Sequence, residues 1–154
     1  MSKAFTKEDG ENVADNLLPE RAVSPYPNLV TAEGLAQIAT EVSKSTAEHV
    51  AALRGGDSDA AARASRDLRY WNSRLASATL TESPSASEVN FGSRVVIRIA
   101  GGAIKKYRIV GTDEGDPPRG LLSYTSPLAQ ALMGKTVGEV VKVAGNEAEV
   151  VAIT

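Results

Sequence analysis

The chain has 154 residues, with 17 basic and 19 acidic side chains, one histidine, no cysteine and a formal net charge of −2. That length allows one or two domains around a core of moderate size, and the lack of cysteine excludes a disulfide framework and, with one histidine, a Cys/His metal site. Near-neutral charge excludes a strongly basic nucleic-acid binder and gives no membrane-surface signal.

Residues 1–30 carry 3 basic and 5 acidic groups, against 14 of each in residues 31–154, so the whole imbalance lies in the first segment. This segment is polar, contains Pro19, Pro25 and Pro27, and has no sustained apolar period. It cannot bury enough surface to offset its ordering entropy, and reads as a mobile acidic tail. It begins without an apolar stretch and with too many acids for a secretory or organelle signal. No run of about 18 apolar residues follows, so a cytoplasmic chain with no membrane partner is expected.

Residues 31–80 read as two helices. Thr31 is a candidate N-cap with Glu33 in the first turn. The first apolar row runs Leu35, Ile38, Val42, then Thr46, Val50 and Leu53, and Arg54 followed by Gly55-Gly56 ends it. The second helix spaces Ala61, Ala64, Leu68, Trp71, Leu75 and Ala78 as a coiled-coil seam, with Trp71 in the core. So short a connection makes the pair an antiparallel hairpin. Residues 81–90 read as a polar Ser/Pro linker.

From Phe91 the period changes to two. Val95, Ile97 and Ile99 share one strand face, Gly101-Gly102 marks a hairpin turn, and Lys105, Tyr107 and Ile109 begin the next alternation. Residues 112–120 read as a loop and Leu121–Tyr124 as a short strand. Ser126-Pro127 opens a helix over Leu128–Met133 that Gly134 ends. Val141–Val143 and Glu147–Ile153 close the chain as two strands. The expected class is α+β, a helical hairpin followed at residues 91–154 by a small, mostly antiparallel sheet domain with one helix.

Ser123–Glu139 reads S-Y-T-S-P-L-A-Q-A-L-M-G-K-T-V-G-E. It resembles the C-terminal signature of the Gre-type bacterial transcription elongation factors at Ser123, Ser126, Pro127, Leu128, Ala129, Ala131, Leu132, Gly138 and Glu139. Phe91–Val95, Tyr107–Gly111 with Asp113-Glu114, and Thr31–Gly34 are similar to three further family segments. The resemblance implies an FKBP-like fold for residues 91–154, docked at the rim of the RNA polymerase secondary channel. It also implies a coiled coil that carries acidic tip residues toward the polymerase active centre, where they help hold Mg²⁺. Asp57 and Asp59 are the tip acids here. Ala60 stands where the family has its second acid, and both helices are shorter than the family's by several turns.

What the resemblance implies is therefore an accessory and not an enzyme. It would bind RNA polymerase and modulate elongation or transcript cleavage, with channel occupancy favoured over cleavage. No cofactor is expected to bind stably, beyond Mg²⁺ shared with the polymerase at Asp57 and Asp59. Nucleic acid would be met through the polymerase, and a monomer is expected.

Each candidate residue also has a plainer role. Asp57 and Asp59 can cap the second helix and favour its dipole. Thr125, Ser126 and Pro127, the candidate partner-binding loop, contain a helix cap. Arg63 and Arg66, candidates for lying near nucleic acid, can form a solvated helix face with Arg69 and Arg74. His49 reads as a surface or seam residue. Asp113, Glu114 and Asp116 read as a solvated turn ahead of Pro117-Pro118, or as an acidic Mg²⁺ or partner patch. Three other functions stay open. One is a short-hairpin, non-cleaving regulator resembling the regulator of nucleoside diphosphate kinase. The others are a standalone interaction module and a prolyl isomerase, the last disfavoured because residues 81–154 offer only Phe91, Tyr107 and Tyr124 as aromatics.

Overall fold

The computed structural model describes residues 18–154. The order of elements is β1 (Leu29–Val30), α1 (Ala32–Arg54), α2 (Ser58–Ser77), β2 (Thr79–Leu80), β3 (Arg94–Ile99), β4 (Ile104–Val110), β5 (Leu121–Ser123), α3 (Pro127–Leu132), β6 (Val140–Val143) and β7 (Asn146–Ile153). Two compact units result. One contains Ala36–Ser77 and the described residues up to Val23; the other contains Ser24–Leu35 and Ala78–Thr154.

In the first unit, α1 and α2 form the expected hairpin. Gly56 takes a left-handed φ of 68°. The amides of Gly56 and Asp57 donate back to the carbonyls of Leu53 and Ala52, at 3.2 and 3.0 Å. This pattern is a Schellman closure, and the residue at its left-handed position pays no Cβ penalty when it is glycine.

The seam departs from expectation on both helices. Along α1, Ile38 and Ser45 are buried and His49 and Ala52 half-buried, while Val50 and Leu53 are 40% and 61% exposed. On α2, Ala61, Ala64 and Trp71 are buried as expected, but Leu75 is 38% exposed and Arg74 takes the buried place. A straight helix drifts against a 3.5-residue repeat, so a strict seam extrapolated over several turns slips to a neighbouring position.

The segment 18–30 corrects the mobile-tail expectation. Glu20 pairs with Arg69 at 2.6 Å, Arg21 pairs with Asp67 at 3.2 Å, and the Arg21 guanidinium lies 4.0 Å from the Tyr70 ring centroid. Val30 is 2% exposed, and β1 pairs in parallel with β2. These contacts hold charge on charge and cation on ring, which a count of apolar residues does not register. The rest of the expected tail, residues 1–17, lies outside the described residues.

The second unit is built on a five-stranded sheet in the order β5-β4-β3-β7-β6. The β4–β5 pair is parallel and the other pairs are antiparallel. Val95, Ile97, Ile109, Leu122 and Val150 line one face, against Ala129 and Leu132 of α3. The expected linker 81–90 is part of this unit at its end. Val89 is fully buried, donates to the Lys135 carbonyl and accepts from the Gly134 amide. The β6–β7 turn runs through Ala144 and Gly145, with φ of 50° and 81°. Both residues thus have positive φ, as a tight hairpin turn requires. Among the described residues no helix is long and apolar enough to cross a membrane.

Candidate functional site

The signature segment folds as a turn followed by a short helix. Ser126 is the N-cap of α3, its hydroxyl accepting from the Ala129 amide at 3.3 Å, and Pro127 occupies the first turn. The Thr125 hydroxyl meets that of Ser123 at 2.9 Å. Behind this turn Tyr124 is buried, its ring edge-on to Phe91 at 5.6 Å, and its hydroxyl donates to the Pro27 carbonyl. Gln130 fixes the Tyr124 carbonyl at 2.6 Å. Thr125 and Ser126 are half-buried, and Pro127 is exposed at the head of the turn. Phe91 and Tyr124 are thus spent on the core, which removes them from any open aromatic pocket of the kind a prolyl isomerase needs.

Gly138 and Glu139 end the signature. Gly138 has a φ of 94°, and the Glu139 carboxylate accepts from the Thr136 amide at 2.6 Å. That bond, then the Thr136 hydroxyl, holds the Glu139 carboxyl below the usual carboxylate range. Both residues shape the entry into β6.

The sequence groups Glu114 with Asp113 and Asp116 as a solvated turn or an acidic patch, and at Glu114 the structure differs. Glu114 is 8% exposed. Its carboxylate accepts from the Thr31 amide at 3.2 Å, the Gly111 amide at 3.1 Å and the Thr31 hydroxyl. Thr31 in turn caps α1, its hydroxyl accepting from the Gly34 amide at 3.0 Å. A Cβ at Gly34 would fall 2.2 Å from the Glu114 carboxyl carbon, and one at Gly111 would fall 2.4 Å from the Leu29 carbonyl oxygen. Two of the segments singled out by resemblance, around Thr31–Gly34 and around Gly111–Glu114, therefore meet on one buried carboxylate. Beside them Glu33 pairs with Arg108 at 3.2 Å. The Glu33 carboxyl lies below its usual range, held first by its own backbone N–H and then by Arg108.

At the hairpin tip, Asp57 serves both helices. Its amide completes the α1 closure, its side-chain Oδ1 accepts from the Ala60 amide at 3.0 Å, and its carbonyl accepts from Ala61. Asp59 is exposed in the first turn of α2, where a carboxylate favours the helix dipole. Asp57, Arg63 and Arg66 line one groove of about 530 Å³, together with Glu48 and Asp67. Arg63 is exposed, while the Arg66 Nε is buried without a hydrogen-bond acceptor. Arg69 stays on the solvated face, paired with Glu20, whereas Arg74 departs from it and is buried. Among the described residues no group of three or more His, Cys, Asp or Glu is gathered as a metal site.

Residues 84–154 match the family model for "Transcription elongation factor, GreA/GreB, C-term". The transcription elongation factor GreA of Nautilia profundicola is 50% identical over 58 residues, 37% of this chain and 36% of that protein. The transcription elongation factor GreB of Xanthomonas axonopodis pv. citri is 42% identical over 77 residues, 48% of this chain and 46% of that protein. The matched region thus spans about half or less of these relatives' length. Among solved structures, GreA factor homolog 1 of Thermus thermophilus aligns over 84% of this chain and 99% of its own, with 20% identity and a TM-score of 0.41. Residues 84–154 are thus similar to the C-terminal domain of the GreA/GreB transcription elongation factors.

Proposed function

We propose that this protein binds RNA polymerase through residues 84–154 and modulates transcription elongation, with the hairpin tip acting near the polymerase secondary channel. The match of residues 84–154 to the GreA/GreB C-terminal domain carries this reading. The Thr125-Ser126-Pro127 turn is the docking element in this proposal. Tyr124 and Gln130 brace it from behind, so a partner meets a preformed surface and not a floppy loop.

At the tip, Asp57 and Asp59 are the residues that would hold a Mg²⁺ shared with the polymerase, which would help clamp the oxygens of a phosphoryl displacement. One Asp57 oxygen is committed to the Ala60 amide, and Ala60 supplies no second carboxylate there. That arrangement favours occupancy of the channel over stimulation of transcript cleavage.

The test uses the full chain, because β1 and Thr31 complete the sheet unit and would be lost from a fragment starting at residue 84. Co-sedimentation with core polymerase is expected for the wild-type protein and for Asp57→Asn/Asp59→Asn. Asparagine remains a good N-cap, so this double variant removes charge while keeping the helix start. Pro127→Glu is expected to weaken binding by about tenfold or more, since a charge forced into a docked surface is left unpaired. On a backtracked complex, binding without faster cleavage is the expected result. Cleavage that the double variant abolishes would replace channel occupancy with metal delivery, and absence of binding would overturn the polymerase assignment.

A further inference from the structure

The outer face of the sheet, opposite the core packed on α3, gathers cations at one corner. Across the β3–β4 pair, Arg94 stands directly opposite Arg108, and Val96 opposite Lys106. With Arg119 they rim a shallow cavity of about 460 Å³ whose floor includes Val96 and Leu121, both half-buried. Like charges placed opposite each other on a sheet repel, so an anion beside this pair would relieve it.

Thr154 also lines the cavity, and the acidic side chains nearby offset the cations only in part. Glu33 meets Arg108 at 3.2 Å, yet the Arg108 Nε remains buried without an acceptor. Arg119 reaches Asp116 at 3.9 Å and is 75% exposed. Arg94 and Lys106 are exposed, and among the described residues neither has an ion pair. Tyr107, the aromatic residue of β4, packs against the core on the other side.

We propose that this corner docks an acidic polypeptide segment, one in which two or more Asp or Glu side chains flank an apolar one. The carboxylates would take Arg94, Lys106 and the free edge of Arg108, and the apolar side chain would rest on Val96 and Leu121. Guanidinium forks match carboxylates in a bidentate manner. The apolar floor between the cations adds contact that a sugar–phosphate backbone would not use. Single-stranded nucleic acid is the poorer fit, because it binds where aromatic rings stack its bases beside the cations, and here the ring faces inward. This surface is separate from the Thr125–Pro127 turn, and the proposal does not depend on the polymerase reading.

The full chain, Arg94→Glu/Lys106→Glu and Lys142→Glu are titrated with a fluorescent peptide of about twelve residues alternating glutamate and leucine, and with oligothymidylate of similar length. Lys142 is exposed on β6, at the far edge of the sheet, and serves as the control. Wild type and Lys142→Glu are expected to bind the peptide, more weakly as salt rises. The double variant is expected to bind about tenfold more weakly or worse while keeping its melting temperature. Amide shift changes in the wild-type protein, centred on residues 94–96 and 106–108, give a readout that needs no variant to fold. Four results each overturn the proposal: no peptide binding, unchanged affinity in the double variant, shift changes centred elsewhere, or oligothymidylate bound as tightly as the peptide.

Discussion

A methyl group at position 34 would overlap the carboxyl group that accepts three hydrogen bonds at the start of α1. Glu114 cannot retreat without abandoning donors that are themselves buried. Gly34→Ala is therefore expected to cost about 1–3 kcal/mol in urea denaturation, despite alanine's better helix propensity. Glu114→Ala should cost a similar amount by leaving the Thr31 and Gly111 amides without acceptors. Ala144 is the opposite case, a side-chain-bearing residue at φ 50° in a turn that suits asparagine. Ala144→Asn is expected to stabilise the fold by about 0.5–1 kcal/mol, read as a higher melting temperature. The local sequence reveals neither the close approach at Gly34 nor the positive φ at Ala144. Among three acids near Pro117-Pro118, nothing local shows that Glu114 alone turns inward, because two of its three donors belong to Thr31.

The elements differ in how openly their residues announce them. Strands β3, β4 and β7 alternate at a period of two, and the buried set Val95, Ile97, Ile109 and Val150 follows that pattern directly. The Ser126-Pro127 start of α3 and the Gly55-Gly56 stop of α1 are equally plain, because capping depends on a few neighbouring residues. The hairpin seam is harder, since polar Ser45 and Arg74 take buried places in it while Val50, Leu53 and Leu75 lie outside. Truncation should expose this difference. Ile38→Ala is expected to cost about 2–4 kcal/mol, whereas Leu53→Ala, at an exposed position, should cost no more than about 0.5 kcal/mol. The strands β1 and β2 escape sequence reading altogether. Two residues each cannot display a period, and their pairing joins segments on either side of the hairpin.

For the whole molecule, acid should be the condition that reveals its charged contacts. Glu20, Glu33 and Glu139 each have a folded-state pKa lowered from 4.5. For Glu20 the Arg69 hydrogen bond is the main cause; for Glu33 and Glu139 a backbone N–H is. A lowered folded pKa contributes stability that is present above the unfolded value and disappears as pH falls through the folded one. Stability should therefore be level near neutrality and decline below pH 4.5, with Glu139→Gln showing a shallower decline in a pH series of denaturant melts. The net charge of −2 gives no hint of this, nor of the basic corner at Arg94 and Lys106, because totals conceal where opposite charges lie.

The hydrogen bonds between Thr31 and Glu114 join positions 83 residues apart. Closing so long a loop costs chain entropy before any contact repays it. The Thr31 cap is local, but Glu114 can brace it only once the strand ending at Val110 and the turn after it are in place. Removing the Glu114 carboxylate should then speed unfolding while leaving the refolding rate nearly unchanged, as stopped-flow measurements would record. The tie between the start of the first helix and the sheet would be among the last contacts of the protein to become native.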